Sequence, residues 1–192
     1  MGQLHMLLAE DRLGTPPLRS LPEGYRLRVF APADSGGYLR LMHAADFTDF
    51  DADRVEQCLR IVLPDGWFLV VHIASGEIVA TAMATHNPDP LHPDGGELGW
   101  VATAPAHRGQ GLGTAACAAV LHRFLQAGYR RIYLKTDDWR LPAIKSYLHL
   151  GFHPFLYDAD MAECWQAVCA QLNVPFTPEA WPCALPAPRG TR

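Results

Sequence analysis

The sequence of 192 residues lacks the features of several specialised protein classes. No hydrophobic run approaches the roughly 18 residues that a membrane-spanning helix needs. The formal net charge is −4, so basic residues are not in excess for binding the phosphates of nucleic acids. We therefore expect a cytoplasmic protein that binds neither a membrane nor a nucleic acid, and the negative charge mildly favours a cationic substrate.

The cysteines and histidines also lack the spacing of a metal site or a disulfide framework. The five cysteines are scattered, and no two of them form a Cys-x-x-Cys pair. No His-x-x-x-His sequence is accompanied by a neighbouring glutamate. We expect no metal site, and we expect the cysteines to be buried free thiols: Cys58, Cys117, Cys164, Cys169 and Cys183.

Hydrophobic residues, by contrast, make up 49% of the chain, which is enough for one substantial core. Prolines and glycines in residues 1–23 predict an N-terminal extension with at most one short helix, over residues 4–9. The domain itself is predicted over residues 24–158. Residues 159–192 are predicted to be a helix and a proline-rich tail that pack on the same domain.

The hydrophobic periodicity predicts a mixed α/β sandwich. Its order is strand, two helices, three strands, helix, strand, helix, strand, followed by the C-terminal helix. The predicted strands are 25–30, 67–73, 77–85, 96–103, 132–136 and 152–157. The predicted helices follow caps at Asp34 and Asp53, or cover 109–127, 142–150 and 161–172.

A glycine-rich turn joins the fourth predicted strand to a long helix. Gly109, Gly111 and Gly113 alternate there, and without Cβ atoms they let the backbone approach a ligand closely. The unpaired N–H groups of the helix start would then face an anion such as a pyrophosphate. A flexible strand-to-helix turn is the alternative. The turn lacks the Gly-Lys-Ser/Thr of a P-loop, and it does not follow a first strand as in dinucleotide-binding folds.

Three ordered motifs resemble the GNAT superfamily of N-acetyltransferases. Residues 108–113, Arg-Gly-Gln-Gly-Leu-Gly, match the signature Q/R-x-x-G-x-G/A, and residues 97–105 resemble the strand that leads into it. Residues 143–152 resemble motif B, A-x-x-x-Y-x-x-x-G-F. The resemblance covers roughly residues 24–157. It implies an α/β GNAT fold: a mixed central sheet of six to seven strands, flanked by helices and splayed between strands 4 and 5.

The resemblance also implies acetyl-CoA as cosubstrate and assigns residues to it. The pantetheine arm would pair with the fourth strand at Val101, Ala102 and Thr103, and a backbone N–H there would stabilise the oxyanion. Arg140 stands where the family usually has asparagine; it either reaches a CoA phosphate or is solvated. The pyrophosphate would lie on the turn formed by Arg108, Gly109, Gln110, Gly111, Leu112, Gly113 and Thr114.

Two residues are candidates for proton transfer. Tyr147 occupies the motif B tyrosine, which in the family protonates the leaving thiolate; the alternative is a core aromatic residue, and we favour the acid. Glu97 lies where some members carry a general base, and a structural glutamate is an equal alternative. His107 and Asp137 are weaker candidates for the base.

The acceptor site is less legible. The acidic, aromatic segment 47–53 could hold a cationic amine, although a capped surface loop is the commoner use of such a segment. Residues 135–142 are a plausible wall on the cofactor side. The leading hypothesis is an acetyl-CoA-dependent N-acetyltransferase in which a primary amine, of a small molecule or a peptide, attacks directly in a ternary complex. The alternatives are a non-catalytic acyl-CoA sensor and a transferase of longer acyl groups, and a homodimer is an open option.

Overall fold

The structure, a computed structural model, describes residues 3–14 and 19–184. Its strands are β1 Leu4–Leu8, β2 Tyr25–Val29, β3 Val62–His72, β4 Ile78–His86, β5 Gly96–Thr103, β6 Ile132–Thr136 and β7 Phe152–Phe155. Its α-helices are α1 Ser35–Ala44, α2 Ala52–Ile61, α3 Leu112–Gln126, α4 Leu141–Leu150 and α5 Met161–Leu172. No helix in these two ranges is long and apolar enough to cross a membrane.

The strands form one mixed sheet in the order β2-β3-β4-β5-β6-β1-β7. All neighbouring strands are antiparallel except β5 and β6, which are parallel. These two strands pair only at Gly96 with Ile132 and at Glu97 with Tyr133, although β5 continues to Thr103. The predicted GNAT fold, with its splayed central strands, is thus confirmed. The predicted fourth and fifth strands are β5 and β6.

The N-terminal segment differs from the prediction. A short helix over residues 4–9 is wrong, because Leu4–Leu8 is a strand between β6 and β7. Leu4, Met6 and Leu8 are buried in the same core cluster as Trp165 of α5, and His5 is buried on the opposite face. Five residues are too few for a stable helix, and a run that is buried on both faces of a sheet shows no alternation.

The start of α2 is also two residues earlier than a cap at Asp53 would place it. Asp51 is the cap, since its Oδ1 accepts the backbone N–H of Arg54 at 2.9 Å. Asp34 precedes α1 as predicted, but its carboxylate makes a bidentate ion pair with Arg28 instead of capping the helix. The true cap places Arg54 in the first turn of α2.

Two hydrophobic clusters stabilise the fold, and β4 and β5 contribute to both. The larger contains β1, α3, α4 and α5, and α5 has the bounds predicted for it. The smaller contains α1 and α2. The C-terminal residues 185–192, predicted as part of the proline-rich tail, lie outside the described residues. Helices therefore cover the sheet in two layers. The sheet opens where β5 and β6 diverge beyond Glu97.

Candidate active site

The glycine-rich turn forms a backbone cradle at the start of α3. Gly109 and Gly111 have φ angles of 79° and 76°, a left-handed conformation that side chains rarely adopt. Gly113 is glycine for another reason: a Cβ atom there would lie 2.9 Å from Oγ1 of Thr103. The free N–H groups of the first helical turn and the helix dipole favour an anion at this place.

A cavity of about 630 Å³ extends from this turn along β5 to α4. It lies on the side of β5 that faces α4, and its size suits a ligand larger than a simple anion. Gln110, which was predicted to bind the cofactor, does not line this cavity and is exposed. The other predicted cofactor residues line it: Val101, Ala102, Thr103, Arg108, Gly109, Gly111, Leu112, Gly113, Thr114 and Arg140.

The edge of β5 that faces this cavity is open. Beyond Glu97 the strand has no ladder partner in β6, so its backbone groups can pair with an extended arm. On the other edge, a bulge places Trp100 and Val101 opposite Ala82 of β4 alone. Trp100 has a φ of 51°, which is strained for an aromatic residue. The bulge leaves one residue out of the β4 ladder, and its N–H can point to a ligand.

Tyr147 lies where two cavities meet. It lines the cavity of 630 Å³ and a second cavity of about 390 Å³, together with Phe47, Val101 and Arg140. Burial raises the pKa of Tyr147 well above its usual range; Cys117 adds to this rise, and Arg140 opposes it. Among the described residues, none hydrogen-bonds its hydroxyl group. The side chain is 6% exposed, so the hydroxyl is a protonated donor at the junction of the cavities.

Glu97 lines the second cavity and does not line the first. Its Oε2 accepts a hydrogen bond of 2.5 Å from Nδ2 of Asn87 and one of 3.5 Å from the hydroxyl of Tyr133. That hydroxyl also donates to the carbonyl of Asn87. No ion pair with Glu97 occurs in the described part of the chain. Glu97 is thus a positioned carboxylate without a cation.

Arg140 is neither solvated nor confined to the cofactor side. Its Nε donates to Asp137 at 3.0 Å, and its guanidinium lies over the rings of Phe47 and Trp139, at 4.7 and 4.4 Å from the centroids. The predicted cofactor wall, residues 135–142, is in fact divided at Arg140. Residues 135–137 line the second cavity, and Pro142 lines the first.

Of the weaker candidates for the base, His107 and Asp137 are separated by the fold. His107 lines the first cavity, of about 630 Å³, and its ring is hydrogen-bonded to the hydroxyl of Tyr25 at 2.8 Å. Asp137 lines the second cavity but forms an ion pair with Arg140. Glu97 is the carboxylate of the second cavity that no cation neutralises.

The second cavity contains several residues that sequence reasoning missed. Of the predicted acceptor segment 47–53, only Phe47 lines it, because the aspartates there cap α2 or point to solvent. No local pattern in the sequence marked Arg54 as a residue of this cavity, and none indicated the strained backbone of Trp100. The missed residues are Gln3, Arg54, Gln57, Cys58, Ile61, Thr85, Asn87, Leu98, Gly99 and Trp100.

In the described ranges, no group of three or more His, Cys, Asp or Glu side chains is arranged to hold a metal ion. Cys58 and Cys117 are buried, and burial raises the pKa of each to about 11 and about 12. Cys164 and Cys169 are also buried. Cys183 is exposed, so the prediction of burial is wrong for it; it lies in an extended segment that pairs with Leu156 beyond β7.

Known proteins resemble this arrangement. A model of the acetyltransferase (GNAT) family matches residues 37–152. The mycothiol acetyltransferase of Nocardia farcinica is 30% identical over 160 residues, which are 78% of this chain and 53% of that protein. The chain thus spans about half the length of the curated relatives it matches.

Two solved structures share the fold. A GCN5-related N-acetyltransferase from Sphaerobacter thermophilus superposes with a TM-score of 0.58 at 23% identity, over 80% of this chain and 49% of that one. A tandem GNAT protein from the clavulanic acid biosynthesis pathway gives 0.60 at 22% identity, over 80% and 50% of the two chains. With the family model matching more than half of its length, the chain belongs to the acetyltransferase (GNAT) family.

Proposed function

We propose that this protein is an acetyl-CoA-dependent N-acetyltransferase that acetylates a primary amine by direct attack in a ternary complex. The observation that carries the proposal is the meeting of two cavities at Tyr147. One has the anion cradle and the open strand edge that fit CoA, and the other contains an unneutralised carboxylate, Glu97. A single binding site for CoA would not need the second cavity.

The residues divide the work of transfer among themselves. When bound, acetyl-CoA supplies an activated acetyl thioester. Glu97 takes a proton from the amine, directly or through water, because an alkyl ammonium with a pKa near 10.4 is not a nucleophile. A backbone N–H at the bulge of Trp100 and Val101 stabilises negative charge on the acyl oxygen. Tyr147 gives its hydroxyl proton to the thiolate as the carbon–sulfur bond breaks, and it then regains a proton from solvent, to which Glu97 loses the proton of the amine.

The test is release of thiol from acetyl-CoA across a panel of primary amines. Tyr147→Phe should lower kcat by about 100-fold while CoA binding stays the same, since only the proton donor is removed. Tyr38→Phe is the matched control, because Tyr38 is a buried tyrosine that lines neither cavity. Unchanged turnover in Tyr147→Phe would remove the acid role from this residue.

The same measurements separate the alternatives. A non-catalytic sensor would be stabilised by CoA without releasing thiol with any amine. A transferase of longer acyl groups would bind butyryl-CoA or hexanoyl-CoA more tightly than acetyl-CoA. The relatives named mycothiol acetyltransferase support acetyl transfer. Because this chain spans about half their length, their acceptor is not assigned to it, and the amine panel decides.

A further inference from the structure

The charged side chains of the second cavity are not equally neutralised. Lys135 lies 2.8 Å from a carboxylate oxygen of Asp89, and Arg140 lies 3.0 Å from one of Asp137. Arg54 also lines the cavity, and no carboxylate of the described residues forms an ion pair with it. One cation of the cavity is therefore left without a partner.

Arg54 is an exposed residue whose guanidinium lies against an aromatic ring. It lies in the first turn of α2, where its backbone N–H is bonded to Asp51, and its guanidinium lies 5.7 Å from the ring centroid of Trp100. Trp100 also contacts Phe50 and Phe47 edge to face, so the ring under the guanidinium is fixed. A planar guanidinium on a fixed ring is well suited to bind a carboxylate or phosphate in a bidentate manner.

The unneutralised carboxylate, Glu97, belongs to β5, and the unneutralised cation, Arg54 of α2, lies beside Trp100 of the same strand. Glu97 precedes Trp100 by three residues, and at a rise of 3.3 Å per residue this separates their Cα atoms by roughly 10 Å. Apolar residues of α2, Cys58 and Ile61, also line this cavity. The cavity thus contains one unneutralised negative group on β5 and one unneutralised positive group beside Trp100.

We propose that the acceptor is an amine that also carries an anionic group, with the amine at Glu97 and the anion on Arg54. This inference rests on the proposed function, because it assigns the acceptor to the second cavity. It adds an anionic group to the cationic substrate that the net charge mildly favours. The separation of the two charges requires several bonds between the amine and the anion, as in an ω-amino acid or a short peptide with a free carboxylate.

The experiment compares matched probes that differ only in the anion. The pairs are 6-aminohexanoate with 6-aminohexanamide and glycylglycine with glycylglycinamide, each titrated calorimetrically into the CoA-loaded protein. The carboxylate of each pair should bind about tenfold more tightly, as expected for hydrogen bonds between charged groups. Arg54→Gln should abolish this preference, and Arg54→Lys should retain part of it, because the charge remains but the bidentate fork is lost.

Arg60→Gln is the matched control, since Arg60 is an exposed arginine of the same helix that does not line the cavity. It should leave the preference unchanged. Equal affinity for carboxylate and amide in the wild-type protein, or an unchanged preference in Arg54→Gln, would overturn the inference. Thiol release is measured in parallel: a carboxylate preference lost in Arg54→Gln, without turnover of any amine, would support the inference and contradict only the proposed function.

Discussion

Under the proposed function, the cavity of 630 Å³ is the cofactor cavity and the cavity of 390 Å³ is the acceptor cavity. The two share four residues but are built from different kinds of segment. Most of the cofactor wall comes from two continuous stretches, residues 101–117 and 140–149. The acceptor wall combines separate segments: Gln3, Phe47, the helix α2, residues 85–101, residues 135–140 and Tyr147. One site is a local structure, and the other exists only when the whole fold is assembled.

The two cavities are built differently because one offers mainly backbone groups to a ligand and the other offers side chains. The cofactor side uses backbone N–H groups, a strand edge and close approach at glycine, which any chain can supply if its glycines are spaced correctly. The acceptor side uses converging side chains, whose identities can change without changing the fold. Under the proposed function, acceptor choice would therefore depend on side chains such as that of Arg54 and cofactor binding mainly on the backbone.

The largest expected effect comes from removing the carboxylate of the acceptor cavity. Glu97→Gln should lower kcat/KM for an amine by about 100-fold near pH 7, because the base is lost. The deficit should narrow as the pH rises and more of the amine is deprotonated in solution. Stopped thiol-release assays over a pH series measure this, with exposed Glu56→Gln of α2 as the control.

A structural glutamate would behave differently. If Glu97 only holds Asn87 and Tyr133 in place, the variant should lose thermal stability, and its kinetic deficit should not change with pH. That result would assign the base to another group or to water. CoA affinity should stay unchanged in either case, because Glu97 does not line the cofactor cavity.

The next effect belongs to the cofactor side. Gly113→Ala should weaken CoA binding by about tenfold, because its Cβ would lie 2.9 Å from Oγ1 of Thr103 and displace the cradle. The double variant Gly113→Ala/Thr103→Ala lacks that atom. Its CoA affinity should therefore be close to that of Thr103→Ala alone. Calorimetric titration with CoA measures it. If the double variant binds no better than Gly113→Ala, close approach to Thr103 is not the reason for glycine at this position.

The difference between a site built from continuous stretches and one built from distant segments also determined which features the sequence could predict. The glycine turn, motif B and the start and end of α5 follow local rules, and they were found. β1 was missed because a five-residue run of four apolar residues and His5 fits either a helix or a strand until its neighbours β6 and β7 are known. The cap of α2 was placed two residues late, at Asp53, since Asp51 and Asp53 are equally good caps by composition. Arg54 was missed for another reason: its place in the cavity depends on how α2 packs beside β5, which the sequence does not show.

A smaller effect is the pH dependence of the free energy of unfolding, which a buried histidine pair should cause. His5 and His92 are buried and hydrogen-bonded at 3.1 Å, and Arg131 donates to the other nitrogen of His92 at 3.1 Å. Burial, then Lys135 for His5 and Arg131 for His92, lowers the pKa of both to about 4. The unfolded chain, with histidine near 6.5, binds more protons between these values, so stability should fall as the pH falls from about 6.5 towards 4.

His92→Asn tests this, because asparagine keeps an acceptor for Arg131 without a ring that titrates. Between pH 7 and pH 5 the variant should lose less unfolding free energy than the wild type, by on the order of 1 kcal/mol. Urea denaturation at both pH values measures it, with the exposed His153→Asn as control. Equal losses in wild type and His92→Asn would show that this pair does not determine acid stability. The histidines lie beside Asp89 and the loop that holds Asn87, so acid should weaken amine binding before CoA binding.

The smallest effect is expected beneath the acceptor cavity, in the cluster of α1 and α2. Tyr38 is fully buried there, and its hydroxyl has no hydrogen-bond partner among the described residues. Burying an unpaired hydroxyl costs free energy, so Tyr38→Phe should be within about 0.5 kcal/mol of the wild type or slightly more stable. Tyr133→Phe is the contrast, because its hydroxyl bonds Asn87 and Glu97, and its loss should cost about 1 kcal/mol. Urea denaturation compares the two. A loss of more than about 1 kcal/mol of unfolding free energy in Tyr38→Phe would mean that this hydroxyl is hydrogen-bonded in solution. The segments around the acceptor cavity would then be more strongly connected than their separate positions in the sequence suggest.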